Sequence, residues 1–123
     1  MSKIMLASAD LFLKKRVVEI LKQLGSELSH HCSNSSDTLI EFPKVKPDIL
    51  IFDTLLPGPE GLEILKKLNG LKENATLIAV SSLRRPLFIE KLFYLGAKDV
   101  LVPPFEDTTL ATVILHRLES IIE

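Results

Sequence analysis

The chain of 123 residues is long enough for one hydrophobic core and too short for two, so we expect a single domain over residues 1–123. It is 46% hydrophobic and 25% charged with a formal net charge of −1, which argues against direct binding of nucleic acid. One cysteine, Cys32, excludes an internal disulfide bond and fits a reducing compartment. The first apolar run, residues 4–8, is too short for a signal peptide or a membrane span. We therefore expect a cytoplasmic protein that does not contact membranes.

Short, continuous apolar runs recur along the chain. Runs that are apolar at every position are typical of strands covered on both faces of a parallel sheet. Four such runs occur, at residues 4–7, 49–52, 77–80 and 100–102. A weaker run at residues 27–32 predicts a fifth, more exposed strand at an edge of the sheet.

Helical patterns separate and follow these runs. Apolar residues spaced three and four apart predict a first helix that ends at Gly25, where a left-handed residue is needed. The second helix is predicted at residues 38–42, ending before Pro43. The core-facing residues of the other three helices are Leu62, Leu65 and Leu68, then Phe88, Leu92 and Leu95, then Leu110, Ile114, Leu118 and Ile121. This βαβαβαβαβα order predicts an α/β protein with helices on both faces of the sheet.

Polar residues stand at the ends of two predicted strands. Asp53 directly follows the run at 49–52, and Ser81 and Ser82 follow the run at 77–80. In a parallel sheet the carboxyl ends of the strands share one edge, and function is located there. These side chains are therefore the first candidates for a functional site.

Several loops resemble those of bacterial CheY-like response regulator receiver domains. The stretch Phe52-Asp53-Thr54-Leu55-Leu56-Pro57-Gly58, followed by Gly61-Leu62, resembles the family's phosphorylation loop. Leu21-Lys22-Gln23-Leu24-Gly25, Leu95-Gly96-Ala97-Lys98-Asp99 and Pro104-Phe105 resemble three further family stretches. The resemblance implies a flavodoxin-like (βα)5 three-layer sandwich with a parallel sheet in the order 2-1-3-4-5. It also implies two-component (phosphorelay) signalling, in which a histidine kinase phosphorylates Asp53 with the help of Mg²⁺ and the Ser81 hydroxyl binds the phosphoryl group.

The same resemblance exposes departures from the family pattern. Aligned on the end of the first helix, the family's metal-binding acidic pair falls on Ser8 and Ala9. The family's lysine falls on Pro103, and its switch aromatic falls on Val100. Because phosphoryl transfer relies on positioning and charge neutralisation, losing the metal ligands and the ammonium group predicts transfer slowed by ~10⁴-fold or more. We therefore predict a pseudo-receiver without a bound cofactor. It is not an enzyme and acts mainly through protein–protein interaction.

Two other functions are compatible with parts of the sequence. A working response regulator, phosphorylated on Asp53 by a histidine kinase, would need Mg²⁺ held by Asp10 and Asp53 and an arginine, Arg84 or Arg85, in place of the missing lysine. For Asp10, capping of the first helix is the favoured interpretation. A flavodoxin-like cofactor enzyme shares the topology but is disfavoured, because no glycine-rich phosphate loop follows any predicted strand.

Adjacent His30, His31 and Cys32 suggest a metal site, but neighbours on a strand point to opposite faces and cannot converge on one ion. An edge strand with a free thiol is the favoured interpretation.

The fourth helix, at about residues 86–95, is more apolar than one core-facing stripe requires. Leu87, Ile89, Phe93 and Tyr94 fall outside that stripe, which suggests a contact surface. The resemblance implies that the face formed by the fourth helix, the last strand and the last helix is used for docking and dimer formation. We therefore predict a partner face with Phe93, Tyr94 and Arg117. Its occupant would be a protein partner, such as a histidine kinase, or a second copy of the chain.

Overall fold

The computed structural model describes residues 2–58, 61–71 and 74–122. Strands and helices alternate in the order β1 (Ile4–Ala7), α1 (Leu11–Gln23), β2 (His30–Cys32), α2 (Ser35–Val45), β3 (Ile49–Asp53), α3 (Gly61–Gly70), β4 (Thr76–Val80), α4 (Pro86–Tyr94), β5 (Ala97–Leu101) and α5 (Asp107–Ile122). The strands form one sheet in the order β2-β1-β3-β4-β5, and every neighbouring pair is parallel. The predicted fold class and strand order are confirmed.

The core lies on both faces of the sheet, because successive strand residues point to opposite sides. Ile4 and Leu6 pack with buried residues of α1 and α5 on one face. Met5 and Ala7 pack with buried residues of α2, α3 and α4 on the other. The four residues of β1 are 0% exposed, as expected for a strand whose sequence is apolar at every position.

The strand predictions hold best at the centre of the sheet. β1 has the predicted bounds, and β3 and β4 each include one residue more than their apolar runs. The predicted last strand at 100–102 is wrong in its bounds, since β5 runs from Ala97 to Leu101. β5 lies at an edge of the sheet, so it accommodates Lys98 and Asp99, which interrupt the apolar pattern.

The first helix behaves as predicted, with Asp10 as its N-cap and Gly25 in a positive-φ conformation at +75° beyond its end. The prediction for the second helix is wrong, because α2 begins at Ser35 and continues through Pro43 to Val45. Phe42 is 1% exposed, and its packing against the sheet holds this turn of helix despite the proline. Within the described ranges, no helix has the length and apolar character needed to cross a membrane.

Candidate functional site

Asp53 is the last residue of β3, and its side chain lies at the carboxyl edge of the sheet. The residue is only 8% exposed. Its Oδ1 accepts a hydrogen bond from the Leu55 amide at 3.0 Å, and its Oδ2 accepts one from Ser8 Oγ at 2.7 Å. The carboxylate is therefore held in place by two neutral donors from two different strand ends.

Ser8, directly after β1, is the residue that positions this carboxylate. It is fully buried, and its Oγ also accepts a hydrogen bond from the Asp10 amide at 3.0 Å. Its amide donates to the Cys32 carbonyl at 2.9 Å, and its own carbonyl lies 2.8 Å from His31 Nε2. The Ser8 hydroxyl therefore has a fixed orientation toward Asp53. No pattern in the sequence indicated this hydrogen bond, because Ser8 and Asp53 are 45 residues apart.

Asp10 caps α1. Its Oδ1 accepts hydrogen bonds from the amides of Phe12 at 2.9 Å and Leu13 at 3.3 Å. These two amides have no partner within the helix, so the carboxylate satisfies groups that would otherwise need water. The capping interpretation is confirmed.

Ser81 follows β4, as predicted, but its hydroxyl does not bond to Asp53. The residue is fully buried, and its Oγ donates to the Leu83 carbonyl at 3.1 Å and accepts from the Leu83 amide at 3.2 Å. The neighbouring Ser82 is exposed and lines the same cavity as Asp53. The role predicted for Ser81 stays a prediction, and in this conformation Ser82 is the serine next to the cavity.

An open cavity of about 290 Å³ lies at the carboxyl ends of the strands. The described residues that line it include Asp10, Phe12, Arg16, Asp53, Leu55, Ser82, Pro103 and Phe105. Arg16 is held at its wall: Nε donates to Asp107 Oδ1 and Nη2 donates to the Phe105 carbonyl, both at 2.7 Å. The guanidinium also lies over the Phe105 ring, 4.5 Å from its centroid. No local pattern in the sequence indicates this role of Arg16, because its partners Phe105 and Asp107 are 89 and 91 residues away.

Arg84 extends toward the loop in which Pro103 stands. Its Nη2 donates to the Pro103 carbonyl at 2.8 Å, so its charge is directed at the backbone of that loop. Within the described residues, neither Arg84 nor Arg85 forms a hydrogen bond or an ion pair with Asp53. The role of Arg84 or Arg85 in supplying positive charge at Asp53 therefore stays a prediction.

The three adjacent residues of β2 point in different directions, as the strand geometry predicted. His30 Nε2 lies 3.6 Å from Glu41 Oε2, His31 contacts the Ser8 carbonyl, and Cys32 is a buried free thiol. Burial raises the pKa of the Cys32 thiol above its usual value, and the negative charges of Asp37 and Glu41 add to this effect. Across the described residues, no group of three or more His, Cys, Asp or Glu side chains is arranged to hold a metal ion.

The predicted partner face carries two exposed aromatic residues and an arginine that forms an ion pair with Asp99. Phe93 is 47% exposed and Tyr94 is 87% exposed, both on α4. Arg117 on α5 donates to both carboxylate oxygens of Asp99 on β5, at 2.6 and 3.0 Å. This bidentate pair raises the pKa of the Arg117 guanidinium and joins α5 to the sheet edge. Arg117 therefore has a structural role in this face.

The family model described as response regulator receiver domain matches residues 4–115. The chain belongs to the response regulator receiver domain family. A chemotaxis protein CheY from Listeria monocytogenes is 27% identical over 120 residues, which cover 98% of both chains. Two solved structures share the receiver fold. A CheY-like receiver domain protein from Methanospirillum hungatei has a TM-score of 0.86 at 21% identity, covering 98% of this chain and 95% of the other. The CheX–CheY–BeF3–Mg²⁺ complex from Borrelia burgdorferi has a TM-score of 0.84 at 19% identity, covering 99% and 90%.

Proposed function

We propose that this receiver domain is a pseudo-receiver of two-component signalling, a protein-binding module in which Asp53 is phosphorylated weakly or not at all. The observation that carries the proposal is the 2.7 Å hydrogen bond from Ser8 Oγ to Asp53 Oδ2. By resemblance, a metal-binding carboxylate would stand at that point, and here a neutral hydroxyl occupies it. A hydroxyl orients the Asp53 carboxylate, but it adds no negative charge with which to attract a cation.

The donor set around Asp53 fits Mg²⁺ poorly. Mg²⁺ requires near-octahedral oxygen coordination, and in phosphoryl-transfer sites it is held by one or two carboxylates together with the phosphate. Both carboxylate oxygens of Asp53 already accept hydrogen bonds from the protein. The Asp10 carboxylate, the other one that lines the cavity among the described residues, is engaged in capping α1.

The arginine side chains near the cavity are bonded to groups other than Asp53. Phosphoryl transfer places charge on the equatorial oxygens, and preorganised cations must neutralise it. Arg16 is paired with Asp107, Arg84 is bonded to the Pro103 carbonyl, and Pro103 itself has no charge. These contacts support slow phosphorylation of Asp53 even when a phosphodonor is present.

The alternative function is a response regulator phosphorylated on Asp53 by a histidine kinase. One observation favours it: the Arg16 guanidinium lines the same cavity as Asp53. Arg16 has five N–H donors, and the structure uses two of them, so others are available for a phosphoryl oxygen. This function requires Arg16 to break its ion pair with Asp107, or to bind Asp107 and the phosphoryl group at the same time.

The proposed output is protein binding through the face formed by α4, β5 and α5. Exposed aromatic side chains are enriched in protein interfaces, and Phe93 and Tyr94 provide them here. The CheX–CheY complex is an assembly of a receiver-fold protein with another protein. A homodimer would use the same face. We place the protein in the cytoplasm, because the free thiol of Cys32 would remain reduced there.

The test is phosphorylation by a small acyl phosphate. The protein is incubated with acetyl phosphate and Mg²⁺, and intact mass spectrometry follows the gain of one phosphoryl group. We expect little or no gain over an hour. A rapid, Mg²⁺-dependent gain that is absent in Asp53→Asn would establish the alternative function.

A gain-of-function variant makes the negative result informative. The triple variant Ser8→Asp, Ala9→Asp and Pro103→Lys introduces two carboxylates and one ammonium group around Asp53. It should acquire the phosphoryl group ~10²-fold faster than the wild type, or more. The matched control is Ser8→Asn, Ala9→Asn and Pro103→Gln, which introduces polar groups without charge. Equal rates in the two triple variants would show that the missing charges are not the limiting factor.

A further inference from the structure

We propose that the Asp53 cavity receives a lysine side chain of a protein partner, whose ammonium group binds the Asp53 carboxylate. This inference rests on the proposed function, because a phosphorylated Asp53 would not be available. It names the chemistry by which the binding module recognises a partner at this end of the sheet.

The Asp53 carboxylate lacks a positively charged partner among the described residues. The residue is only 8% exposed, and the two hydrogen-bond donors to its carboxylate are a hydroxyl and an amide, both neutral. Within the described residues it has no ion pair. A carboxylate offers about four lone-pair positions, so acceptor capacity remains on the side that lines the cavity. A buried negative charge of this kind favours a cation in the space next to it.

The shape and polarity of the cavity suit a lysine side chain. Its volume of about 290 Å³ is bounded by apolar side chains that include Leu13, Leu55, Val80 and Phe105, with the Asp53 carboxylate at the strand end. A lysine has a four-carbon apolar stem and a single terminal charge, and it commonly buries the stem against apolar surface. A hydrated Mg²⁺ ion would gain nothing from these apolar walls.

Lysine also fits better than arginine. A planar guanidinium binds a carboxylate through both oxygens at once, and both Asp53 oxygens already hold a donor from the protein. An ammonium group is a compact point charge and can use one remaining lone pair. Arg16 is the cation that already lines the cavity, and its pairing with Asp107 at 2.7 Å offsets its repulsion of an incoming ammonium group.

Large apolar side chains are exposed at the rim of the cavity. Leu11, Phe12 and Leu55 are 72%, 83% and 66% exposed. Phe12 and Leu55 line the cavity itself, and Leu11 is next to Phe12 on the first turn of α1. Large apolar side chains around a cavity mark a surface that a partner covers. A protein that inserts a lysine would bury this rim at the same time.

The experiment is an NMR titration of the whole chain with N-acetyl-lysine-N-methylamide, which carries one ammonium group and no other charge. The control probe is N-acetyl-norleucine-N-methylamide, which has the same apolar stem without the ammonium group. We expect saturable shifts of the amides at residues 9–10 and 54–55 with the lysine probe alone. Asp53→Asn should weaken this binding by about tenfold or more. Equal shifts with both probes, or undiminished binding to Asp53→Asn, would overturn the proposal.

A second variant keeps the test independent of how Asp53→Asn folds. Pro103 lines the cavity, so Pro103→Lys adds an ammonium group to its wall and should prevent binding of the lysine probe. Pro103→Met adds a stem of similar length without charge, so it controls for the added bulk and should bind the probe more tightly than Pro103→Lys. If both variants bind the probe equally well, the inference fails.

Titration with Mg²⁺ alone separates this inference from the proposed function. Tight Mg²⁺ binding at Asp53 would overturn the pseudo-receiver function. Absence of both Mg²⁺ and lysine-probe binding would overturn the lysine inference and leave the pseudo-receiver proposal standing.

Discussion

Ser8 and Asp10 illustrate how single side chains decide the chemistry at the end of β1. The Ser8 hydroxyl donates to Asp53 Oδ2, while the Asp10 carboxylate accepts from two amides of α1. The Asp10 carboxylate therefore caps α1, and the Ser8 hydroxyl is bonded to the candidate phosphoacceptor Asp53. This arrangement differs from one in which acidic side chains at the end of the first strand surround a metal ion.

Replacing Asp10 tests its capping role. Asp10→Ala removes the acceptor for the Phe12 and Leu13 amides and should lower the free energy of unfolding by about 1 kcal/mol. Asp10→Asn keeps an oxygen acceptor and should retain most of that stability. Urea denaturation in the absence of metal measures both values. A metal-binding role would instead appear as stabilisation by Mg²⁺ that Asp10→Asn abolishes.

The Cys32 thiol should resist ionisation in the folded protein. Its pKa lies above the usual value of 9.0, mainly because the thiol is buried. The negative charges of Asp37 and Glu41 raise the pKa further. The unfolded chain therefore releases this proton at lower pH than the folded chain, so the stabilisation is complete below pH 9 and decreases as the pH rises through the folded pKa. The unfolding free energy of the wild type should fall relative to that of Cys32→Ala between pH 8 and pH 10.5. A constant difference over that range would contradict the raised pKa.

In α2, tertiary packing outweighs the tendency of a proline to end a helix. Pro43 lies inside the helix, and the chain continues to Val45 before Lys46 adopts a positive φ of 51°. The Lys46 amide still donates to the Phe42 carbonyl at 3.0 Å, so the last turn remains hydrogen-bonded. The buried Phe42 side chain anchors this turn to the sheet.

Replacing Pro43 by alanine should stabilise the protein by about 1 kcal/mol. An amide at position 43 can donate to the Leu39 carbonyl, and this gain exceeds the added entropy of the unfolded chain. The matched control is Lys44→Ala, an exposed change in the same helix that should alter stability by less than about 0.5 kcal/mol. A loss of stability in Pro43→Ala, measured by urea denaturation, would show that the proline ring makes contacts that matter more than the missing hydrogen bond.

For the whole molecule, the loops at the carboxyl edge are held together by close backbone contacts. The Ser35 amide donates to the Pro57 carbonyl at 2.9 Å, which joins the start of α2 to the loop after β3. Gly58 lies against Ser35 so closely that a Cβ at Gly58 would be 2.8 Å from the Ser35 Cβ. The loop after β3 therefore depends on its contact with the start of α2, which is distant from Pro57 and Gly58 in the chain.

Two glycine substitutions separate this contact from ordinary helix propensity. Gly58 has a φ of +119°, so Gly58→Ala combines a strained backbone with the clash against Ser35 and should cost about 2 kcal/mol. Gly70 at the end of α3 has open space around its Cα, and Gly70→Ala should stabilise by about 0.5 kcal/mol. Thermal unfolding of both variants measures the contrast. Similar changes in both would indicate that the Ser35 contact is easily relieved.

The sequence by itself determined the order of the elements, the parallel sheet and the position of Asp53 at a strand end. These features follow from local patterns: residues 4–7 and 49–52 are apolar throughout, and Gly25 and Gly96 end helices where positive φ is required. Local patterns also indicated that Asp10 would cap α1, because the cap and its amides are close in the chain.

Only the tertiary structure decided which groups meet at Asp53. The Ser8–Asp53 hydrogen bond spans 45 residues, and the contact of Arg16 with Asp107 spans 91. The orientation of the Ser81 hydroxyl toward Leu83 depends on the local path of the loop after β4. The two long-range contacts arise because the fold brings distant segments together, and no periodicity or spacing within one segment records them.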